Sequence, residues 1–302
     1  MSIAHEFEYA KPAGLKEALR LLARPAVPGG AVPLAGGTDL VAWLRDGAVS
    51  PGFLVDVKGL AELRGIRLKA GKLWLGANTT FAEIVESPLV RKHAPILREA
   101  AGMVASVGVR NRATVGGNLC SAVPCCDSGP ALLVYGGTLH VATARGMKSV
   151  PAAKWFLGPR RTALAKGGIV VGISIPTAKH AGAFAKLKRY RGEDLAQASV
   201  AVRVDAKGVW QVAYGSVAPT PIRGPKVERL LRREKKPSAA QLKKAAALAE
   251  AEVAPITDIR SSQVYRRLMV GVMLVRAVRL AAARLAGRGR AYGSNVIEED
   301  AP

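Results

Sequence analysis

Two glycine-bearing segments hold the residue types best suited to chemistry. The first is Ala35-Gly36-Gly37-Thr38-Asp39, between a short apolar run and a segment with helical spacing. Glycines let backbone N–H groups come close to a ligand, and a helix start adds free donors and a positive dipole end. Thr38 adds a hydroxyl. That combination suits a pyrophosphate, although a strand–helix turn of no further purpose would read the same way. The second segment is Thr114-Val115-Gly116-Gly117-Asn118, with Asp127 nine residues on. It offers a further amide cradle, a hydroxyl and a carboxamide. The Asp127 carboxylate suits a ribose hydroxyl pair or a cap for the segment after it. Neither loop is a G-x-G-x-x-G or a Walker loop. Together they suggest a nucleotide held by main-chain amides from two sides.

No acid–base set accompanies them. His5, His93, His140 and His180 are scattered, and the chain contains no G-x-S-x-G, H-E-x-x-H or paired-carboxylate signature. No catalytic residue is assigned, and any catalysis falls to a bound cofactor. Cys120, Cys125 and Cys126 are one thiolate short of the four that usually hold an iron–sulfur cluster, and two of them are adjacent. They are expected to line a ligand loop, with no metal site.

The elements that must position these loops follow from periodicity and turn chemistry. Leu15, Ala18, Leu19 and Leu22 have helical spacing within 13–24. Ala31 to Ala35 and Phe53 to Val57 read as strands, and a helix runs from the first loop to Arg45. Gly65 to Ala77 reads as a hairpin with Gly71-Lys72 at its tip. Thr80 and Glu83 have capping-box spacing. Residues 88–105 read as mostly helical and 110–118 as a polar, glycine-rich loop. Pro130 to Tyr135 is an apolar run that Gly136-Gly137 turns into Thr138 to Ala142. Ile169 to Ile175 is a strand ended by Pro176. Further on, Lys207-Gly208 turns a second hairpin. Ser238 caps a helix over 239–253, and a last helix spans about 262–288.

With 302 residues, two or three domains are expected. An apolar share of 49% against 22% charged supplies a core and excludes a largely disordered chain. No apolar run is long enough to span a bilayer. The first eleven residues have no signal core, and three clustered cysteines fit a reducing, cytoplasmic setting. The 45 Lys and Arg against 22 Asp and Glu leave +23. Such a charge fits a polyanion or acidic protein partners. The basic residues recur throughout without an aromatic-rich nucleic-acid module, so no nucleic-acid partner is expected.

An ordered series of motifs carries a resemblance over about residues 7–286. After the two loops and Leu75-Gly76-Ala77-Asn78-Thr79-Thr80 come Lys188-Arg189 with Glu193-Asp194-Leu195-Ala196. Pro255-Ile256-Thr257-Asp258-Ile259-Arg260-Ser261-Ser262 and Tyr265-Arg266-Arg267 follow. The chain resembles the FAD-binding medium subunit of the molybdenum hydroxylases, the family of xanthine and carbon monoxide dehydrogenases. The resemblance implies an α+β fold: a two-subdomain FAD-binding unit of the p-cresol methylhydroxylase type, over 1–58 and 59–178. A small C-terminal antiparallel sheet with helices over 179–290 and a mobile tail, 291–302, complete it.

It also implies a site. Ala35, Gly36, Gly37, Thr38 and Asp39, with Thr114, Val115, Gly116, Gly117 and Asn118, match the loops that wrap the FAD pyrophosphate. Asp127 matches the acidic position after the second loop. Val170 and Lys186 align with positions near the flavin, Thr79 is placed on the flavin side, and we add Tyr190 as a ring neighbour. The resemblance implies FAD on this chain, with the molybdenum cofactor on a large partner subunit and 2Fe–2S clusters on a small one. A dimer of heterotrimers would pass electrons to an external acceptor. The hydroxybenzoyl-CoA reductase branch inserts a cysteine loop for a four-iron cluster; here the insertion and a fourth cysteine are absent. The rival readings are a stand-alone flavin oxidase and a basic binding module that has lost FAD.

Overall fold

The computed structural model describes residues 3, 5–25, 27–190 and 192–293. Most of the tail expected to be mobile, from 294 onward, lies outside the described residues. Strands and helices build three successive sheets. The first comprises β1 (Glu8–Ala10), β2 (Ala31–Leu34) and β3 (Phe53–Asp56), in the order β1-β3-β2, with all pairs parallel. Parallel neighbours need crossovers, which α1 (Leu15–Leu22) and α2 (Leu40–Arg45) supply. All four residues of the central β3 are buried, so Phe53, Leu54 and Val55 run apolar without alternation before the buried Asp56.

The second sheet is antiparallel, in the order β4-β5-β10-β6-β7. The expected hairpin forms from β4 (Ile66–Lys69) and β5 (Lys72–Gly76), with Leu73 and Leu75 buried on one face. A helical layer follows: α3 (Phe81–Glu86), α4 (Pro88–His93), α5 (Pro95–Gly102), α6 (Val107–Arg110), α7 (Val115–Ser121) and α8 (Ser128–Tyr135). Thr80 and Glu83 form both bonds of the capping box at α3. The sheet is completed by β6 (Thr138–Thr143), β7 (Gly146–Pro151) and β10 (Ile169–Pro176), whose connection carries the small β8 (Phe156–Gly158) and β9 (Arg161–Thr162) ribbon.

One expectation fails in this layer, and one apolar run gains its identity. Residues 110–118 do not form one loop: α6 ends at Arg110, and Thr114 caps α7, whose first turn contains Gly116 and Gly117. The apolar run before Gly136 is the helix α8, with all eight residues buried. A helix buried on every side has no polar face, so its sequence has no helical period to read.

The third sheet is an antiparallel meander, β11 (Ala181–Leu187), β12 (Ala198–Val204), β13 (Trp210–Gly215) and β14 (Ile222–Arg223). Helices α9 (Pro225–Leu230), α10 (Ala239–Glu252) and α11 (Gln263–Leu285) pack with it around Val200, Val202, Val212, Tyr214, Met273 and Leu274. Ser238 and Gln241 make a second capping box, at α10. No helix among the described residues is long and apolar enough to cross a membrane.

Candidate functional site

The three sheets converge on one cavity of about 710 Å³. Its wall takes Ala35 to Asp39 from the β2–α2 turn, and Thr114, Gly116, Gly117 and Asn118 from the start of α7. Asp127, Val170, Lys186 and Tyr190 also line it. Of the residues picked out in the sequence, only Thr79 and Val115 stand behind the wall, and both are buried.

The two glycine segments differ in what their amides do. In the first, no hydrogen bond among the described residues uses the N–H of Gly36, Gly37, Thr38 or Asp39. Gly37 takes φ +78°, which turns the chain at low steric cost only without a side chain. Gly36 lies flush on the next segment: a Cβ there would sit 2.0 Å from the Arg112 carbonyl oxygen. Ser121 of α7 donates to Asp39 Oδ2, which fixes the turn against the second segment.

In the second segment the amides are already used. Val115 N–H donates to the Thr79 carbonyl, Gly116 N–H to Ala77 and Asn118 N–H to Thr114. Gly117 N–H donates to the Thr114 hydroxyl at 3.0 Å. This corrects the expected second amide cradle. Gly116 serves close packing instead, since a Cβ there would lie 2.7 Å from Ala77. The Asn118 carboxamide oxygen is likewise engaged, accepting from Ser128 Oγ at 2.6 Å and from Cys126 Sγ at 3.1 Å.

Asp127 occupies the N-cap position of α8 but makes no side-chain cap bond. Its Oδ2 accepts from Lys186 Nζ at 2.6 Å, across 59 residues of sequence. Lys186 Nζ also donates to the Met103 carbonyl. Both side chains are nearly excluded from water, at 1% and 8% exposure, so the charges depend on each other. Burial pushes the Asp127 carboxyl up, and the Lys186 ammonium opposes that shift. Two buried polar atoms have no partner here, Asp127 Oδ1 and Thr79 Oγ1. Buried orphans of this kind are uncommon and point to a missing partner.

At the mouth, Tyr190 is exposed beside an ion cluster that the sequence motifs contain but periodicity does not reveal. Asp194 accepts from Arg189 Nε through Oδ2 and from Arg260 Nη1 through Oδ1. Arg189, Glu193, Asp194, Leu195 and Arg260 all line the cavity, as does Asn78, whose Nδ2 donates to the Val57 carbonyl. Cys125 is on the wall, and burial, reinforced by the Asp127 carboxylate, pushes its thiol up to about 11; burial takes Cys126 up to about 12. Among the described residues, no group of three or more His, Cys, Asp or Glu side chains is placed to hold a metal ion.

Comparison with known proteins decides the family. Residues 5–178 match the model of the FAD binding domain in molybdopterin dehydrogenase, and residues 182–281 match that of the CO dehydrogenase flavoprotein C-terminal domain. The chain belongs to the FAD-binding medium subunits of the molybdenum hydroxylases. It is 34% identical over 292 residues to the carbon monoxide dehydrogenase medium chain of Hydrogenophaga pseudoflava, covering 94% of this chain and 100% of that one. It is 31% identical over 276 residues to the glyceraldehyde dehydrogenase medium chain of Sulfolobus acidocaldarius, covering 90% and 97%. The solved structure of reconstituted CO dehydrogenase from Oligotropha carboxidovorans superposes with a TM-score of 0.88 at 32% identity, covering 94% of this chain and all of the matched one.

FAD fits what this medium subunit presents. Four unused amides in the first turn suit a pyrophosphate, the orphaned Asp127 Oδ1 suits a hydroxyl donor, and the cavity is within the range of cofactor pockets.

Proposed function

We propose that this chain is the FAD-carrying electron-transfer subunit of a multi-subunit molybdenum-dependent hydroxylase or dehydrogenase. It takes electrons from a 2Fe–2S partner subunit and passes them to an external acceptor. The observation that carries this reading is the joining of unused amides at 36–39 to an orphaned, lysine-paired carboxylate at Asp127 within one cavity. FAD supplies one- and two-electron exchange when bound, which suits a junction between single-electron carriers and a two-electron acceptor.

This chain's own residues bind and orient. The amides of Gly36 to Asp39 hold the diphosphate. Asp127 receives a hydroxyl proton donor through Oδ1 while Lys186 keeps its Oδ2 charged and placed. Thr79, behind the wall, holds the start of α7 through its carbonyl, which accepts from Val115 N–H, and Val170 and Tyr190 on the wall would offer contact to a bound ring. No side chain is assigned as a general base. The first two sheets are read as a two-subdomain unit of the p-cresol methylhydroxylase type over 1–58 and 59–178, followed by a domain over 179–290. The assembly is read as a cytoplasmic dimer of heterotrimers with a large molybdenum-cofactor subunit and a small 2Fe–2S subunit.

The test is FAD titration of the apo chain, read by flavin fluorescence and visible absorption. Stoichiometric binding is expected. Gly37→Val should abolish it, because a side chain there would crowd the turn whose amides are to hold the diphosphate. A chain that binds no flavin refutes the reading. Substrate turnover by the FAD-loaded chain alone favours a stand-alone oxidase.

A further inference from the structure

A separate cavity, of about 630 Å³, lies between the start of α10 and the last turns of α11. It shares no lining residue with the first cavity. Its floor is aliphatic. Val278 is fully buried and Leu242 nearly so, while Ala282 and Leu285 are partly buried against the same core. Ala239, Ala283 and Ala286 complete the walls, and their methyl groups are too short to close the gap between the two helices. The volume is in the range of small-molecule sites.

The rim of this cleft is cationic. Lys235 and Lys236 approach from the link before α10, and Arg279 and Arg288 from α11 and the residues just past its end. All four are exposed, and among the described residues none has an acidic partner. No Asp or Glu lines the cleft among the described residues. The start of α10 is at the same rim, and its dipole adds positive potential there. Attraction to a helix C-terminus accounts for Arg288 alone. It does not account for the two lysines that another segment brings to the same place. Like charges gathered around an apolar cleft repel one another unless an anion sits among them.

We propose that the cleft between α10 and α11 binds a free long-chain carboxylate. The aliphatic chain lies against Leu242, Val278 and Leu285, and the carboxylate is held among Lys235, Lys236, Arg279 and Arg288. A neutral aliphatic chain would leave the cations without a counter-charge. A compact anion such as phosphate would leave the apolar floor in water. An amphiphilic anion meets both demands. The volume suits one aliphatic chain rather than the two of a membrane phospholipid, which commits the site to a free acid. The site does not depend on the FAD reading, since the two cavities have no residue in common.

The experiment titrates monomeric laurate into the FAD-loaded full chain by calorimetry, with octanoate, dodecanol and phosphatidylglycerol vesicles as separate titrants. Laurate should bind more tightly than octanoate, by about three- to fourfold for each added methylene. Replacing both Lys235→Gln and Lys236→Gln should weaken laurate binding about two- to tenfold at low salt, as the loss of two exposed charge contacts does. Ala286→Trp, at an exposed position on the cleft wall, should block binding, with FAD content unchanged in both variants. Equal affinity for laurate and dodecanol, no dependence on chain length, or unchanged binding in Ala286→Trp overturns the proposal. Binding of the vesicles without binding of laurate also overturns it and assigns the cations to a membrane surface. Laurate binding that is lost once the chain is assembled with its partner subunits gives the cleft to a subunit interface, and overturns the proposal too.

Discussion

Replacing Lys186 with Met tests the buried charge pair in the wall of the cavity. The ammonium is 2.6 Å from Asp127 Oδ2 and 1% exposed, and Asp127 Oδ1 already lacks a partner. Removing the lysine leaves a carboxylate with neither partner nor solvent. Breaking such a pair from one side typically costs about 3–5 kcal/mol. Protonation sets a ceiling, because the carboxyl can become neutral instead of remaining charged. At pH 7 that costs about 1.4 kcal/mol for each unit between 7 and an unfolded value of about 3.9, or about 4 kcal/mol in all. The two figures agree, so the variant should lose about 4 kcal/mol at pH 7.

The sign of the pH dependence follows. Burial already pushes Asp127 up, and without Lys186 nothing opposes it. A carboxyl raised in the folded state favours folding below its unfolded value and loses that benefit as pH rises through the folded value. The gap between variant and parent should therefore close by about 1.4 kcal/mol per unit between pH 7 and pH 5. Urea denaturation of the apo proteins at pH 5, 6, 7 and 8 measures this. A gap under about 1 kcal/mol at pH 7, or one that does not change with pH, would refute the assignment of a mutually dependent buried pair.

Two further outcomes are expected. Gly36→Ala should cost about 3 kcal/mol, since its Cβ meets the Arg112 carbonyl oxygen, whereas Gly30→Ala, at φ +78° with no atom within 4 Å, should cost only about 1 kcal/mol; thermal melts compare them. The buried Cys126 thiol, held at about 12, should react with a disulfide reagent at pH 8 far more slowly in the folded chain than in urea, and equal rates would contradict its burial.

Features whose physics is local could be read from the chain itself. The capping boxes at Thr80 and Ser238, the hairpin turns at Gly71 and Gly208, and the glycine turn after β2 each depend on a few adjacent residues. The order of the motifs was enough to place the chain in its family. Tertiary structure decided whatever depends on surroundings. Because α8 is buried on all sides, its period disappears from the sequence. The amides at 115–118 looked free until Ala77 and Thr79, more than thirty residues earlier, arrived to accept from two of them. The same holds for the orphaned Thr79 and Asp127 oxygens, the Asp127–Lys186 pair and the Asp194–Arg260 rim. Sequence specifies which polar groups exist. Only the fold determines which of them are buried, which are already bonded, and which are left for a ligand.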